Sequence, residues 1–394
     1  MTSKQRMLAA ISREDTDHIP CSFMLFFNLS KKCGTVRQFA EEQLKLGLDP
    51  YVHVGHLSHA LHREARQTVT VEQADGETIF HRRIDTPAGP LETRVRQMEG
   101  WPREDHFDLF DDWLVPRTTD VLVDPSRDLD RLPYLLGDPT DEAITELREL
   151  ADRSRAVADE HQLLQVGGWG SQSGQNVLGD GGVMGADAMA WLSGYEQVMA
   201  MSITDPPIIE RYAQIIHAWN LKQIEVYLEV TDCDVVVRRG WYETTEFWTP
   251  EAYGRIIAPT IRAEADLVHQ AGRKYGYIVT SAFLPILDQM LDAGVDVLIG
   301  LDPEEGKGTD LRAVQRMCAE GGAALWGGVS GAVTVEQGTA EQTQQATRDA
   351  LDILGRDGGF ILSPVDNVRE DTDQAWANTQ HLIDAWQAHT GQSR

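Results

Sequence analysis

Eight short runs of β-forming residues, most followed by a longer amphipathic stretch, recur along the chain, and this order constrains the fold more than any other feature. They begin near Ile19 (IPCSFMLF), Asp49 (DPYVHV), Leu163 (LLQVGG), Asp234 (DVVVR), Tyr275 (YGYIVT), Val295 (VDVLIG), Ala324 (ALWGGV) and Phe360 (FILSP). Several are apolar without alternation, as parallel strands covered on both faces must be. Eight strand–helix units close a cylinder, so the expected class is α/β, a TIM (β/α)8 barrel spanning residues 1–394. Two α/β domains are the alternative that this length leaves open.

Helix signals fall between the strands. Thr249-Pro250-Glu251 offers a capping hydroxyl, a proline where no N–H is needed and an acid at the positive end of the dipole. The helix it opens should run to Gln270, kink or split at Pro259, and end at Gly272. Thr204-Asp205-Pro206 opens a long helix toward Leu228, Asp310 and Thr334 start two more, and Met1 to Asp15 reads as an amphipathic opening helix. The segment 68–97 alternates around Asp75-Gly76 and Pro87-Ala88-Gly89-Pro90, which predicts an antiparallel β excursion after the second strand. With the Trp-, Asp- and Pro-rich stretch that follows, it forms an inserted hairpin and loop region over 68–133, set on the barrel.

The chain carries 62 acidic residues against 35 Lys plus Arg, a formal net charge of −27, with no basic block. Such a surface repels nucleic acid and anionic membranes, so neither is an expected partner. A small anionic substrate would then need arginines gathered in a pocket. Cys21, Cys33, Cys233 and Cys318 are far apart and form no Cys-x-x-Cys pair, which argues against a disulfide framework and a cysteine-rich zinc site. No stretch approaches the roughly 18 apolar residues of a membrane span, and the charged N-terminus lacks a signal-peptide core, so the expected location is cytoplasmic.

In a barrel, residues just past each strand share one mouth. Here they are Asn28, His53, His56, Trp169, Arg238, Arg239, Thr280, Ser281, Asp302, Ser330, Asp366 and Asn367. Arg238-Arg239-Gly240-Trp241-Tyr242-Glu243 weighs most, because two cations after the buried run DVVV need an anionic partner, and a guanidinium matches a carboxylate in a fork. The plain alternative is an internal ion pair with Asp302, Glu243 or Asp366. His53, His56, His59 and His62 recur every third residue, too far round a helix to cluster. His56 is expected at the mouth as an acid–base group, with His59 and His62 starting a helix, and a metal site from His53, His56 and Asp366 is a further option. The eight glycines of Gly167 to Gly185 read as a lid or phosphate-cradling loop with Trp169 as a stacking wall, without a P-loop or dinucleotide pattern. Cys33 lies near the mouth, with nothing local to activate its thiol.

Four segments in order, KQRMLAAISREDTDHIP, TSAFLPILDQMLDAGVDVLIGLDP, WGGVSGAVTVEQGT and GGFILSPVDNV, resemble the uroporphyrinogen decarboxylase superfamily, which also contains zinc-dependent corrinoid-linked methyltransferases. The resemblance implies a barrel with its site at the strand C-termini, and commonly a homodimer. It also implies an arginine-rich loop after the first strand, where this chain has Phe26-Phe27-Asn28-Leu29-Ser30. The decarboxylases' catalytic aspartate matches His56, and their C-terminal histidine falls near Asp366, as does the methyltransferases' zinc cysteine. The methyltransferases' His-x-Cys pair falls on Ile278 and Thr280, within about one position, and neither side chain ligates zinc.

The combined expectation is a metal-independent lyase of decarboxylase type with no cofactor. Catalytic residues would be His56, Asp366 and Arg239, and substrate contacts Arg238, Asn28, Trp169, Tyr242, Glu243, Thr280, Ser281 and Asp302. Methyl transfer with zinc or a corrinoid, and a barrel that only binds a ligand, are the alternatives.

Overall fold

The computed structural model describes residues 1–74, 76–97, 108–111, 114–169, 182–305, 309–365 and 368–391. Its strands are β1 (Tyr51–His53), β2 (Arg66–Ala74), β3 (Glu77–Asp85), β4 (Leu91–Arg96), β5 (Thr118–Asp120), β6 (Leu164–Gly168), β7 (Val183–Met184), β8 (Val235–Arg239), β9 (Lys274–Ile278), β10 (Val297–Leu301), β11 (Ala324–Ser330) and β12 (Phe360–Val365). A curled parallel sheet runs β1-β6-β8-β9-β10-β11-β12. Where β6 stops, β7 continues its track: Gly168 lies opposite Val237, then Val183 and Met184 lie opposite Arg238 and Arg239.

Seven expected strands form within two residues of their predicted starts, whereas the run at Ile19 is reduced to a parallel bridge between Cys21 and Leu362. Pro20 has no N–H to give a ladder, and the chain turns into a short helix at Phe27–Ser30. The segment nevertheless closes the cylinder, since Ser22 N–H donates to the Leu362 carbonyl at 3.0 Å and Asp49 N–H to that of Cys21 at 2.7 Å. Side chains satisfy the backbone groups that no ladder reaches. Trp326 donates to the Ser22 carbonyl at 2.8 Å, Tyr51 to that of Met24 at 2.7 Å, and Ser363 Oγ accepts the Met24 N–H at 2.8 Å.

Strand alternation sorts the core into two layers. Leu164, Val166, Val235, Val237, Ile278, Val297, Ile299, Trp326 and Ile361 fill the barrel, and Met7, Ala10 and Ile11 of the opening helix Ser3–Ile11 pack onto them as a floor. Val236, Tyr275, Tyr277, Leu298 and Leu362 face the surrounding helices. The opening helix is tied down by Arg6, whose guanidinium reaches Asp49 at 2.5 Å and Asp17 at 2.6 Å, while the other Asp49 oxygen accepts the Cys21 N–H at 3.3 Å.

The predicted excursion is an antiparallel sheet, β2-β3-β4-β5, with Phe80 and Val95 packed on Leu114. Gly76 and Gly89 take φ of 82° and 117° at its two turns. Helix signals hold at Thr249 and Asp310, which cap as expected, and Pro259 follows a π-turn over Tyr253–Ile257 that splits its helix. The start expected at Thr334 is corrected: Ser330 caps a π-turn over Gly331–Glu336, and the helix begins after Thr339, whose hydroxyl and Gln342 make a reciprocal cap. The helix expected at His59 and His62 is absent; the chain there runs as a loop to β2. Among the described residues no helix is long and apolar enough to cross a membrane.

Asp49 is 3% exposed, so Arg6→Ala strands a buried carboxylate. We expect a loss of about 3 kcal/mol in urea denaturation, with Asp49→Asn in the same background recovering part of it.

Candidate functional site

Neighbouring residues of a strand point to opposite faces, so the two arginines that end β8 cannot share a destination. Val235 and Val237 point into the barrel and Val236 outward; Arg239 therefore enters the barrel mouth and Arg238 the helical layer.

Arg238 is sealed between two buried glutamates. Its Nε and Nη2 fork onto Glu243 at 3.1 and 2.5 Å, and Nη1 reaches Glu264 at 2.9 Å and Thr260 at 3.1 Å. Glu243 also accepts from Ala186 N–H at 2.8 Å and Tyr277 at 2.7 Å, and Glu264 from Tyr275 at 2.7 Å, with Asn220 and His217 at 3.2 Å. Burial would push the Glu264 carboxyl up, but the Arg238 charge and these donors together hold it at about 2. Gly185 is required beside them, because a Cβ there would lie 1.9 Å from Glu243 Oε1. The expectation that Arg238 and Glu243 contact substrate is thereby corrected: each satisfies the other inside the wall.

Arg239 is 2% exposed and stands in an aromatic box. Its guanidinium carbon lies 4.2 Å from the Trp241 ring, 4.4 Å from Trp191, 5.5 Å from Tyr242 and 5.9 Å from Trp169, and Nη1 pairs with Asp187 at 3.1 Å. Asp187 also accepts the Tyr242 N–H at 3.3 Å. Trp169 and Tyr242, expected as substrate contacts, lie against this guanidinium. Asp187 and Trp191 were missed. The available signal was an acid inside ADAMAWLS, a helix of otherwise uncharged residues that is buried at all eight positions.

The two mouth histidines stack, with ring centroids 4.4 Å apart. His53 is buried, faces the Gly168 carbonyl through Nε2 at 3.2 Å, and accepts the Gly55 N–H at Nδ1, also 3.2 Å. Burial and then the neighbouring His56 hold it well below its usual pKa, so it stays neutral with the proton on Nε2. With both nitrogens engaged by backbone, His53 is a support and not a metal ligand. It fixes the residue before Trp169, and the half-buried His56 stacks on its ring. His59 bonds the Leu135 carbonyl at 2.8 Å and His62 packs on Tyr134, both away from the pair.

Other expected contacts are used locally. Asn28 is buried and donates to the Glu370 carbonyl at 3.1 Å, fastening the segment after β12. Asp302 caps its own turn, accepting from Glu304 and Glu305 N–H at 2.8 and 2.9 Å, and Ser330 likewise accepts from Val333 N–H. Thr280 follows β9, half-buried, and Ser281 donates to Glu246 at 3.1 Å. Burial pushes the Cys33 thiol up, away from a reactive thiolate. Asp366, Asn367 and most of the glycine-rich loop, 170–181, lie outside the described residues.

The zinc pair implied by the resemblance does not fit here. Ile278 ends β9 in the apolar barrel interior and Thr280 follows, so no imidazole or thiolate stands at either place. Among the described residues no three His, Cys, Asp or Glu side chains converge as a metal site.

The profile of the family described as Uroporphyrinogen decarboxylase (URO-D) matches residues 185–389, just over half of the chain. Among solved structures, a methyltransferase from Methanosarcina mazei superposes with a TM-score of 0.59 at 17% identity, over 99% of each chain, a likeness of fold. D-psicose 3-epimerase from Clostridium cellulolyticum H10, with D-tagatose, scores 0.34 at 13% identity over 66% of this chain and 84% of its own. The 3-keto-D-glucoside 4-epimerase from E. coli scores 0.35 at 12% identity over 65% of this chain and 93% of its own. No curated protein matches the sequence.

The Arg238 cluster sets an acid limit. Glu264 sits at about 2 against an ordinary 4.5, so its stabilisation is complete above 4.5 and is lost as pH falls toward 2. Urea denaturation from pH 6 to 3 should show stability falling below about pH 4.5 in the native chain, with a shallower fall in Glu264→Gln.

Proposed function

This chain belongs to the uroporphyrinogen decarboxylase family, and we propose that it is an enzyme acting on a small carboxylate-bearing substrate by metal-independent lyase chemistry of decarboxylase type. The observation that carries the reading is Arg239, an inward-facing cation at a strand end, oriented by Asp187 and walled by Trp169, Trp191, Trp241 and Tyr242. A guanidinium has five N–H donors, more than one carboxylate can engage, so in this reading Arg239 donates to a substrate carboxylate while Nη1 keeps its ion pair with Asp187. The aromatic walls exclude water, which strengthens that contact.

A cation fixed on the leaving carboxylate would stabilise substrate more than transition state, so Arg239 is assigned to a carboxylate that stays. In the reacting group the carbon–carboxylate bond breaks, carbon dioxide departs, and the electron pair left on carbon takes a proton. His56, half-buried and stacked on the neutral His53, is the donor we assign, with Asp366 as the second candidate from its place after β12. Trp169, Tyr242, Thr280 and Ser281 complete the substrate walls in this reading. Methyl transfer is the second reading, favoured by the full-length likeness to a methyltransferase; the missing zinc pair at Ile278 and Thr280 counts against its metal-dependent form.

Thermal-shift and calorimetric screens of small mono- and dicarboxylic acids, each beside its neutral amide, test the proposal. We expect carboxylates to bind and amides not to, binding to survive exhaustive chelation, and Arg239→Met to weaken it by about 100-fold, the worth of a buried charge-assisted pair. Equal binding of acid and amide, or undiminished binding by Arg239→Met, would overturn it.

A further inference from the structure

Among the described residues, no strand pairs with the outer edge of the excursion sheet at β2. β2 pairs with β3 on one side without a bulge, from Arg66 opposite Asp85 to Ala74 opposite Glu77, and heads the strand order on its other side. All of residues 66–73 are exposed. Natural edges of this length are blunted by lysine, proline, a bulge or a covering loop, and Arg66-Gln67-Thr68-Val69-Thr70-Val71-Glu72-Gln73 contains no lysine or proline.

The backbone polarity of this edge follows from the ladder. Gln97 N–H donates to the Thr78 carbonyl at 2.8 Å, so even-numbered residues of β3 bond β4 and odd-numbered ones bond β2. Their partners in β2 are Arg66, Thr68, Thr70 and Glu72. Gln67, Val69, Val71 and Gln73 therefore aim their N–H and C=O groups at the open side. The side chains of Val69 and Val71 lie opposite Arg82 and Phe80, on the face that Phe80 and Ile84 bury, and remain 38% and 50% exposed. They extend that apolar face to the edge and leave it uncovered.

We propose that β2 is an interface between two copies of this chain, joined antiparallel about a two-fold axis through Val69. An antiparallel pair must match residues of the same hydrogen-bonding class, so the two-fold can pass through Val69 or Thr70 but not between them. Centring on Val69 sets Val69 against itself, Gln67 against Val71, Thr68 against Thr70, and Arg66 against Glu72 twice. The Arg66–Glu72 pairs occupy non-hydrogen-bonded sites, where side chains lie closest, and charge thus selects this register. Centring on Thr70 would instead set Thr68 against Glu72. Arg66, whose guanidinium rests on the carbonyls of Arg63 and Ala65 at 2.5 and 2.7 Å, reaches Glu72 of the second copy by rotating an exposed side chain. The joined sheet runs continuously through both copies, and four valines cover one another on its apolar face.

Sedimentation velocity across a concentration series, with a thiol placed on the axis, tests this. Residues facing each other in a hydrogen-bonded pair have Cα atoms about 5.5 Å apart, within disulfide reach. The four native cysteines are all free and buried, so the added thiol is the accessible one. We expect a concentration-dependent dimer, near-complete cross-linking of Val69→Cys under mild oxidation, weaker cross-linking of Thr70→Cys, and a monomer with unchanged far-ultraviolet dichroism for Val69→Lys/Val71→Lys. A native chain that stays monomeric, a dimer that survives the double lysine change, or failure of Val69→Cys to cross-link would overturn the interface. Stronger cross-linking of Thr70→Cys would overturn its register.

Discussion

The wall of this barrel is organised around one buried guanidinium. Taking Arg238 and two glutamates out of water costs several kcal/mol per ion, and the cost is offset only where every lone pair and proton finds a partner. Four donors converge on each carboxylate, drawn from β8, from tyrosines of β9 and from the helices around them. Gly185 makes room for the pair, and the next residue gives its N–H to Glu243. The cluster thus pins the start of the helix Ala186–Ser193, and with it Asp187 and Trp191.

That fixed helix links the wall to the mouth. Asp187 reaches Arg239, Trp191 lies against it, and the loop after β8 returns Trp241 and Tyr242 to the other sides. Tyr242 is buttressed in turn by Tyr195 and Phe247, with centroids 4.6 and 5.5 Å away. A guanidinium held this way is ordered before any ligand arrives, so little orientation remains to be lost on binding. His53 acts alike on the adjacent strand, holding Gly168 just before Trp169.

The barrel seam and the excursion sheet meet the problem of unpaired backbone in opposite ways. At Pro20 to Met24 the ladder fails, yet Trp326, Tyr51, Ser363 and Asp49 take up the orphaned groups from within. Along β2 the outward groups of Val69 and Val71 face solvent beside an apolar surface. The first arrangement is complete within one chain; the second calls for another strand.

Much of the fold was legible because strand-forming runs, capping residues and turn glycines act locally. Seven strands, the split before Pro259, the caps at Thr249 and Asp310 and the antiparallel excursion all follow from short-range rules. Thr334 misled because a π-turn after Ser330 postponed the helix to Thr339, and the Ile19 run because its few ladder bonds are supplemented by side chains from distant strands. At the site, the sequence singled out the arginine pair, Trp169 and His56 as mouth residues and Tyr242 as a substrate contact. It carried no information on which arginine faces inward, since period-two alternation fixes only that the two differ. Tertiary packing decided that by placing Glu264, 26 residues along the chain, behind Arg238, and Asp187 before Arg239. Propensity acts over a few residues and is written in order along the chain; charge pairing acts across space, and only the closed barrel brings those partners together.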